Sequence, residues 1–259
     1  MLVDVNAFVG EYPFRRVPGG SPDELLAAMD RVGIQEAWVS HLPAVFWRDP
    51  MEGNALLYAA LADSDRVRPV PAVHPGLPTW RSQLDEALSR GVPAVRCDPM
   101  FYALDPMSEE MGRFLEACGS AGVAVLMAVR FEDGRQRHPN DSAGDLAPWH
   151  IRAFIRRDPA VRILVTGADR GFIEQVHFGS TPTESERVWW DVSWIWGPPE
   201  DDLATLLETV GVERFVFGTG QPLRLPEASL AKLDLIDRAG GGAWRTAVEA
   251  DNARRAFGS

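Results

Sequence analysis

Asp4-Val5-Asn6-Ala7-Phe8-Val9-Gly10 reads as the first strand of the chain, and seven more runs of the same kind follow it. They fall at 36–42, 67–74, 93–99, 123–129, 161–167, 188–194 and 214–220. Amphipathic helical patterns lie between them, at 22–32, 53–62, 79–89 and 108–121 among others. Ser21, Pro22 and Glu24 spell an N-cap, a first-turn proline and a capping box. Glu109 and Glu110 suit the positive end of a helix behind Ser108. Gly33, Gly91, Gly122 and Gly211 stand where helices end. Eight strand–helix alternations predict an α/β fold with a parallel sheet, and eight is the number that closes a (β/α)8 TIM barrel. The competing doubly wound sheet lacks its Gly-x-Gly-x-x-Gly after the first strand. One barrel domain over residues 1–259 is expected.

The composition narrows the function classes. Hydrophobic residues at 46% and charged ones at 24% suffice for a full core. A net charge of −11 argues against nucleic acid and anionic membrane surfaces, whose phosphates need a basic stripe. It leaves an anionic small molecule open, because local arginines override a global field. No apolar run approaches the roughly 20 residues that span a bilayer. Two cysteines, Cys97 and Cys118, and no secretory signal point to a reduced, cytoplasmic setting.

Order and spacing of several motifs carry a resemblance. Gly91-Val92-Pro93-Ala94-Val95-Arg96-Cys97-Asp98-Pro99, Trp190-Asp191-Val192-Ser193, Val216-Phe217-Gly218-Thr219-Gly220-Gln221-Pro222 and the closing Asp251-Asn252-Ala253-Arg254-Arg255-Ala256-Phe257 stand in sequence. Together they resemble the amidohydrolase superfamily, in its amidohydrolase-related branch of decarboxylases, lactonases and hydratases acting on small carboxylic acids. The resemblance implies a metal-activated water and an aspartate base at the C-terminal strand ends. Its Asp-x-His-x-His falls on Asp4, Asn6 and Phe8, so the two histidine positions hold an amide and a phenyl ring. The fifth-strand ligand falls near Ala128, the sixth-strand histidine near Gly167, and the eighth-strand aspartate on Gly220. None of the five offers a good ligand for a divalent metal, and an amide oxygen is at best a weak, hard donor. The expectation is therefore no metal, no other cofactor, and no metal-hydroxide chemistry.

What remains at the strand ends is a set of candidates. His41 and His74 end the second and third strands, where each would serve as acid or base or would hydrogen-bond loop carbonyls. Arg96 and Arg130 would clamp a carboxylate or pair with Asp98 or Glu132. Asn6, Asp98 and Asp191 complete the expected binding set. Period-2 alternation allows only about half of the strand-end residues to point inward. His138 lies in a long loop that would act as a lid or as plain surface, and His150 and His177 read as packing or surface. Trp189, Trp190, Trp194 and Trp196 cluster around the seventh strand, walling a pocket or an oligomer interface, with barrel–helix packing accounting for at least the first two. The leading expectation is a protein that binds a small carboxylate without metal-hydroxide catalysis. A homo-oligomer, or pairing with an active homologue, fits that role. The alternative is a metal-independent hydrolase or lyase, with His41 or His74 as acid/base and Arg96 or Arg130 as clamp.

Overall fold

A computed structural model describes residues 1–195, 199–238 and 242–258. Strands and helices alternate as β1 (Val3–Val9), α1 (Pro22–Val32), β2 (Glu36–His41), α2 (Met51–Ala60), β3 (Val67–Pro69), α3 (Trp80–Ser89) and β4 (Ala94–Arg96). Then come α4 (Glu109–Ala121), β5 (Ala124–Ala128), α5 (Pro148–Arg157), β6 (Ile163–Thr166), α6 (Arg170–His177) and α7 (Pro182–Ser185). β7 (Val188–Asp191), α8 (Pro199–Leu206), β8 (Phe215–Val216), α9 (Pro226–Arg238), α10 (Gly242–Thr246) and α11 (Asn252–Phe257) finish the chain.

All neighbouring strands run parallel, in two ladders, β1-β2-β3 and β4 through β8. Two seams join the ladders into a closed ring. At one, the Arg96 amide donates to Pro71 O and the Val73 amide to Arg96 O, both at 2.8 Å. At the other, the Val5 amide donates to Phe217 O at 3.0 Å and the Phe8 amide to Gln221 O at 2.8 Å. The expected TIM barrel is the observed architecture, and among the described residues closure leaves no free sheet edge. β3, β4 and β8 are shorter than the runs read from sequence, because beyond their ladders the seams continue as isolated bridges at Ala72–Arg96 and Ala7–Gln221.

The helix caps form as the residues dictate. Ser21 Oγ accepts from the Glu24 amide while Glu24 reaches back to the Ser21 amide, and Gly33 closes α1 at φ 77°. Ser108 caps α4 through the Met111 amide.

Apolar packing divides into three clusters. The largest fills the annulus between strands and helices, with Val95, Val125, Met127, Val165 and Trp190 facing outward from the barrel. A second fills the barrel floor with Val3, Val5, Trp38, Leu126, Leu164, Trp189 and Val216, sealed by Phe257 of α11. A third lies at the opposite, C-terminal mouth. Cys97 and Cys118 are buried thiols within the outer cluster. Among the described residues no helix is long and apolar enough to cross a membrane.

The register of β1 shifts between Asp4 and Ala7, and this irregularity decides what the mouth contains. Val3 and Val5 belong to the floor, whereas Phe8 belongs to the mouth and Ala7 and Val9 to the outer annulus. One extra residue at a bulge inverts the alternation beyond it. Asn6 and Phe8 therefore look into the barrel, while Asp4 is tied to the eighth strand end.

One amide ties the start of the closing helix to the segment around β8. Asn252 Nδ2 donates to Val212 O at 2.8 Å and Phe215 O at 2.7 Å, and the residue is 1% exposed. Asn252→Ala strands both carbonyls, and we expect it to lower the unfolding free energy by about 2–4 kcal/mol in urea titration.

Candidate active site at the barrel mouth

Inside the mouth, one arginine organises the polar side chains. Arg96 leaves β4 toward the barrel axis and is 1% exposed. Its Nε donates to Ser40 Oγ at 2.9 Å and its Nη2 to Asn6 Oδ1 at 3.0 Å, while Nη1 stands 3.5 Å from Asp98 Oδ2. Ser40 Oγ passes its own hydrogen to Val70 O at 2.8 Å. The guanidinium also lies 4.6 Å above the centroid of Phe8. Asn6 carries the network onward, donating through Nδ2 to Asp191 Oδ2 at 2.9 Å. That carboxylate also accepts from Ser193 Oγ at 2.6 Å and, through Oδ1, from the Gly167 amide at 3.3 Å. Asp98 Oδ1 accepts from the Ala128 amide at 2.7 Å.

Burial strains every charge in this set. It pulls Arg96 below the ordinary arginine value and pushes Asp98 above the usual carboxylate range, with their mutual attraction opposing both shifts. Arginine is basic enough that the guanidinium stays cationic at neutral pH. Asp191 is likewise raised by burial, against the hydrogen bonds from Ser193 and Asn6 and the charge of Arg224.

A lid of aromatic rings covers the network. Phe131 meets Phe8 at 5.7 Å and Phe101 at 4.9 Å between centroids, and Phe46 bridges Phe101 to Tyr12 and Phe14. His138 stacks on Phe14 at 5.5 Å, which seats the loop after β5 against this cluster.

The structure brings together Asn6, Arg96, Asp98 and Asp191 from the expected set, and leaves the other three outside their hydrogen-bond network. Ser40 faces Arg96, so its neighbour His41 projects to the opposite face of β2, edge-on to Trp47 at 5.3 Å. His74 stacks on Tyr102 at 4.5 Å and accepts from the Gly76 amide through Nδ1. Burial lowers the pKa of both imidazoles. Arg130 is paired with Asp145 at 2.7 Å and Asp169 at 3.1 Å, rather than with Glu132, which pairs with Arg15. Trp189 and Trp190 pack in the floor and the annulus, Trp194 reaches the mouth, and Trp196 lies outside the described residues.

Two residues of this mouth escaped the sequence reading. Ser40 carried its signal in alternation, being one position from His41. Arg224 carried none, because it stands in a loop beyond β8. Its guanidinium carbon lies 3.6 Å from the centroid of Trp194, and Nη2 donates to Phe131 O at 3.3 Å. A Cβ added to Gly220 would lie 3.2 Å from its Nη1.

A parallel (β/α)8 barrel with a polar cluster at its C-terminal mouth defines the general class of barrel proteins whose chemistry sits at that face. The family model described as Amidohydrolase matches residues 10–259, and the chain belongs to that family. Among solved structures, the barrel is similar to 2,6-dihydroxybenzoate decarboxylase from Rhizobium, at 16% identity and TM-score 0.74, over 99% of this chain and 98% of that one. It is also similar to a putative 2-pyrone-4,6-dicarboxylic acid hydrolase from Pseudomonas putida, at 19% identity and TM-score 0.69, over 99% and 97%. A third is 5-carboxyvanillate decarboxylase from Sphingomonas paucimobilis, at 15% identity and TM-score 0.69, over 99% and 98%. No curated protein matches the chain.

Two outcomes follow from this geometry. Arg96→Met leaves Asp98 buried beside an apolar chain, and we expect a loss of about 3–5 kcal/mol at pH 7 by urea denaturation, shrinking as the pH is lowered and that carboxyl takes up a proton. Asp4 is buried at the β1–β8 seam, where Thr219 Oγ1 donates to it at 2.6 Å. Burial dominates those donors and pushes Asp4 up from 3.8 to about 6. The folded state therefore holds an extra proton in that window, and this contribution to stability is full below about pH 4 and lost as pH rises through about 6. Relative to Asp4→Asn, the wild-type protein should lose about 3 kcal/mol across it, read from unfolding free energies at a series of pH values.

Proposed function

We propose that this family member binds a small carboxylate at the barrel mouth without a metal-activated water. The buried guanidinium of Arg96 carries the reading: a fixed organic cation sits among Asn6, Ser40 and Asp98. The side chains present do not fit a divalent ion. Asn6 already spends its amide on Arg96 and Asp191, and Phe8 offers only a ring face. A Cβ at Gly167 would lie 2.5 Å from Arg130 O, so no ligating side chain fits there without a backbone shift. Gly220, with φ +71°, faces Arg224 rather than offering a carboxylate. Among the described residues no group of three or more His, Cys, Asp or Glu is arranged to hold a metal. The buried free thiols agree with a reduced, cytoplasmic setting.

A second reading is supported by the reaction named for two of the structural neighbours. Decarboxylation needs no water nucleophile, only a cationic site for the carboxylate and a group that manages a proton. His41 or His74 would act as acid/base, delivering the proton that takes the place of the departing carboxylate, with Arg96 or Arg130 as clamp. Turnover that survives both His41→Ala and His74→Ala would sink this residue assignment.

Metal content decides between these readings and the family's ordinary chemistry. Protein produced with added zinc or manganese and without chelator should carry far less than one equivalent by mass spectrometry, and neither ion should raise its melting temperature. Near-stoichiometric metal would overturn the proposal.

A further inference from the structure

Nothing can reach the Arg96 cluster while its cover stays in place. Asn6, Ser40, Arg96, Asp98 and Asp191 are each between 0% and 4% exposed. A ligand that touches them must first displace a ring. Phe8 belongs to β1 and is held by the ladder with β2. Phe46 closes the tight turn Pro43–Phe46, and the Phe101 amide is bonded to Asp98 O at 3.0 Å. Phe131 is different, because it opens the long loop after β5. Its ring meets Phe8 at 5.7 Å, and the Arg96 guanidinium lies 5.8 Å from its centroid.

That loop is built to move in one piece. At its base the Leu146 amide donates to Val129 O at 3.2 Å and Arg130 pairs with Asp145 at 2.7 Å, so its two ends lie together. Inside it, Arg137 is a cross-brace: Nη1 donates to Ala143 O at 2.7 Å, and Nη2 to Glu132 O at 3.4 Å and to Asp145. Asp133 O takes the Gln136 and Arg137 amides. Outward ties are few. Beyond the base, among the described residues, one ion pair and one hydrogen bond leave the loop: Glu132 with Arg15 at 2.7 Å, and Phe131 O with Arg224 at 3.3 Å. His138 adds its stack on Phe14. A segment bonded within itself and sparsely to its surroundings opens locally at far less cost than the whole fold.

We propose that residues 131–145 form a rigid lid that swings off the barrel mouth and carries Phe131 with it, and that Phe14 and Arg15, in the loop after β1, are its latch. Glu132 is the sensitive half of that latch. Its side chain is 6% exposed, so Arg15 supplies the charge that makes its burial tolerable. Without that partner the carboxylate gains by reaching water, and reaching water lifts the lid. The lid matters only where a ligand is received at Arg96, the reading on which this rests, and it sets when that site is open.

Hydrogen exchange, followed amide by amide by NMR on the full chain without ligand, tests the lid. The Ala128 amide is bonded to Asp98 Oδ1 and the Gly167 amide to Asp191 Oδ1, so both report water entering the cluster. The Val125 and Ile163 amides, bonded to Arg162 O and Arg187 O toward the floor end of the barrel, report global opening. In the wild-type protein Ala128 and Gly167 should be far less protected than that pair. Arg15→Ala should speed their exchange about tenfold and His138→Ala severalfold, with Val125 and Ile163 unmoved. Arg15→Ala combined with Glu132→Gln removes the stranded charge and should restore most of the protection. Ala128 and Gly167 as protected as Val125 and Ile163 in every protein, or an Arg15→Ala effect shared equally by all four, would overturn the lid. A lid that opens over a mouth that binds no carboxylate would overturn the functional reading and leave this one standing.

Discussion

A guanidinium buried in the axis of a barrel must be compensated on all sides, and Arg96 sets the terms for everything around it. Its donors select Asn6 on β1 and Ser40 on β2, and its charge selects Asp98 beyond β4. Asn6, fixed by that bond, presents its amide hydrogens to Asp191 on β7. Four strands are thereby tied at one level by side chains, in a layer where a TIM barrel ordinarily packs branched aliphatics. Such a layer is costly to desolvate, and half-satisfied it would be worse than an apolar core. The Phe8 and Phe131 rings that close over it keep water away and so strengthen each remaining interaction.

The seams of the ring use the same economy. Asp4 accepts from the Asn6 and Thr219 amides and from the Thr219 hydroxyl, which in turn accepts from the Gln221 amide. The first and last strands are therefore joined by side-chain bonds as well as by ladder bonds. At the mouth the chain's carboxylates are matched by arginines from strand ends and loops, Asp98 by Arg96, Glu132 by Arg15, and Asp145 and Asp169 by Arg130. Local placement, rather than net charge, decides what the site attracts.

The architecture was legible because it rests on period and punctuation. Alternating runs, the Ser21–Glu24 box and the terminal glycines each report a local preference that the barrel respects. The site was legible only in part. Asn6, Arg96, Asp98 and Asp191 stand at strand ends with inward parity, and they meet. His41 drew attention by its chemistry, while parity favoured Ser40. The register shift in β1 leaves no mark that periodicity alone reveals, since valine suits either face. Arg224 enters from a loop whose path depends on the Pro222 and Trp194 surroundings, and nothing local announces it.

The closeness of Gly167 to the backbone beyond strand five limits which side chains this mouth can carry. With Arg130 O 2.5 Å from where any Cβ would stand, and φ at +71°, the sixth strand end accepts glycine alone. No larger side chain can be seated there by substitution alone, because the neighbouring main chain would have to retreat first. Packing thus holds this strand end to a bare backbone, and any new side chain would enter the mouth more readily from its loops.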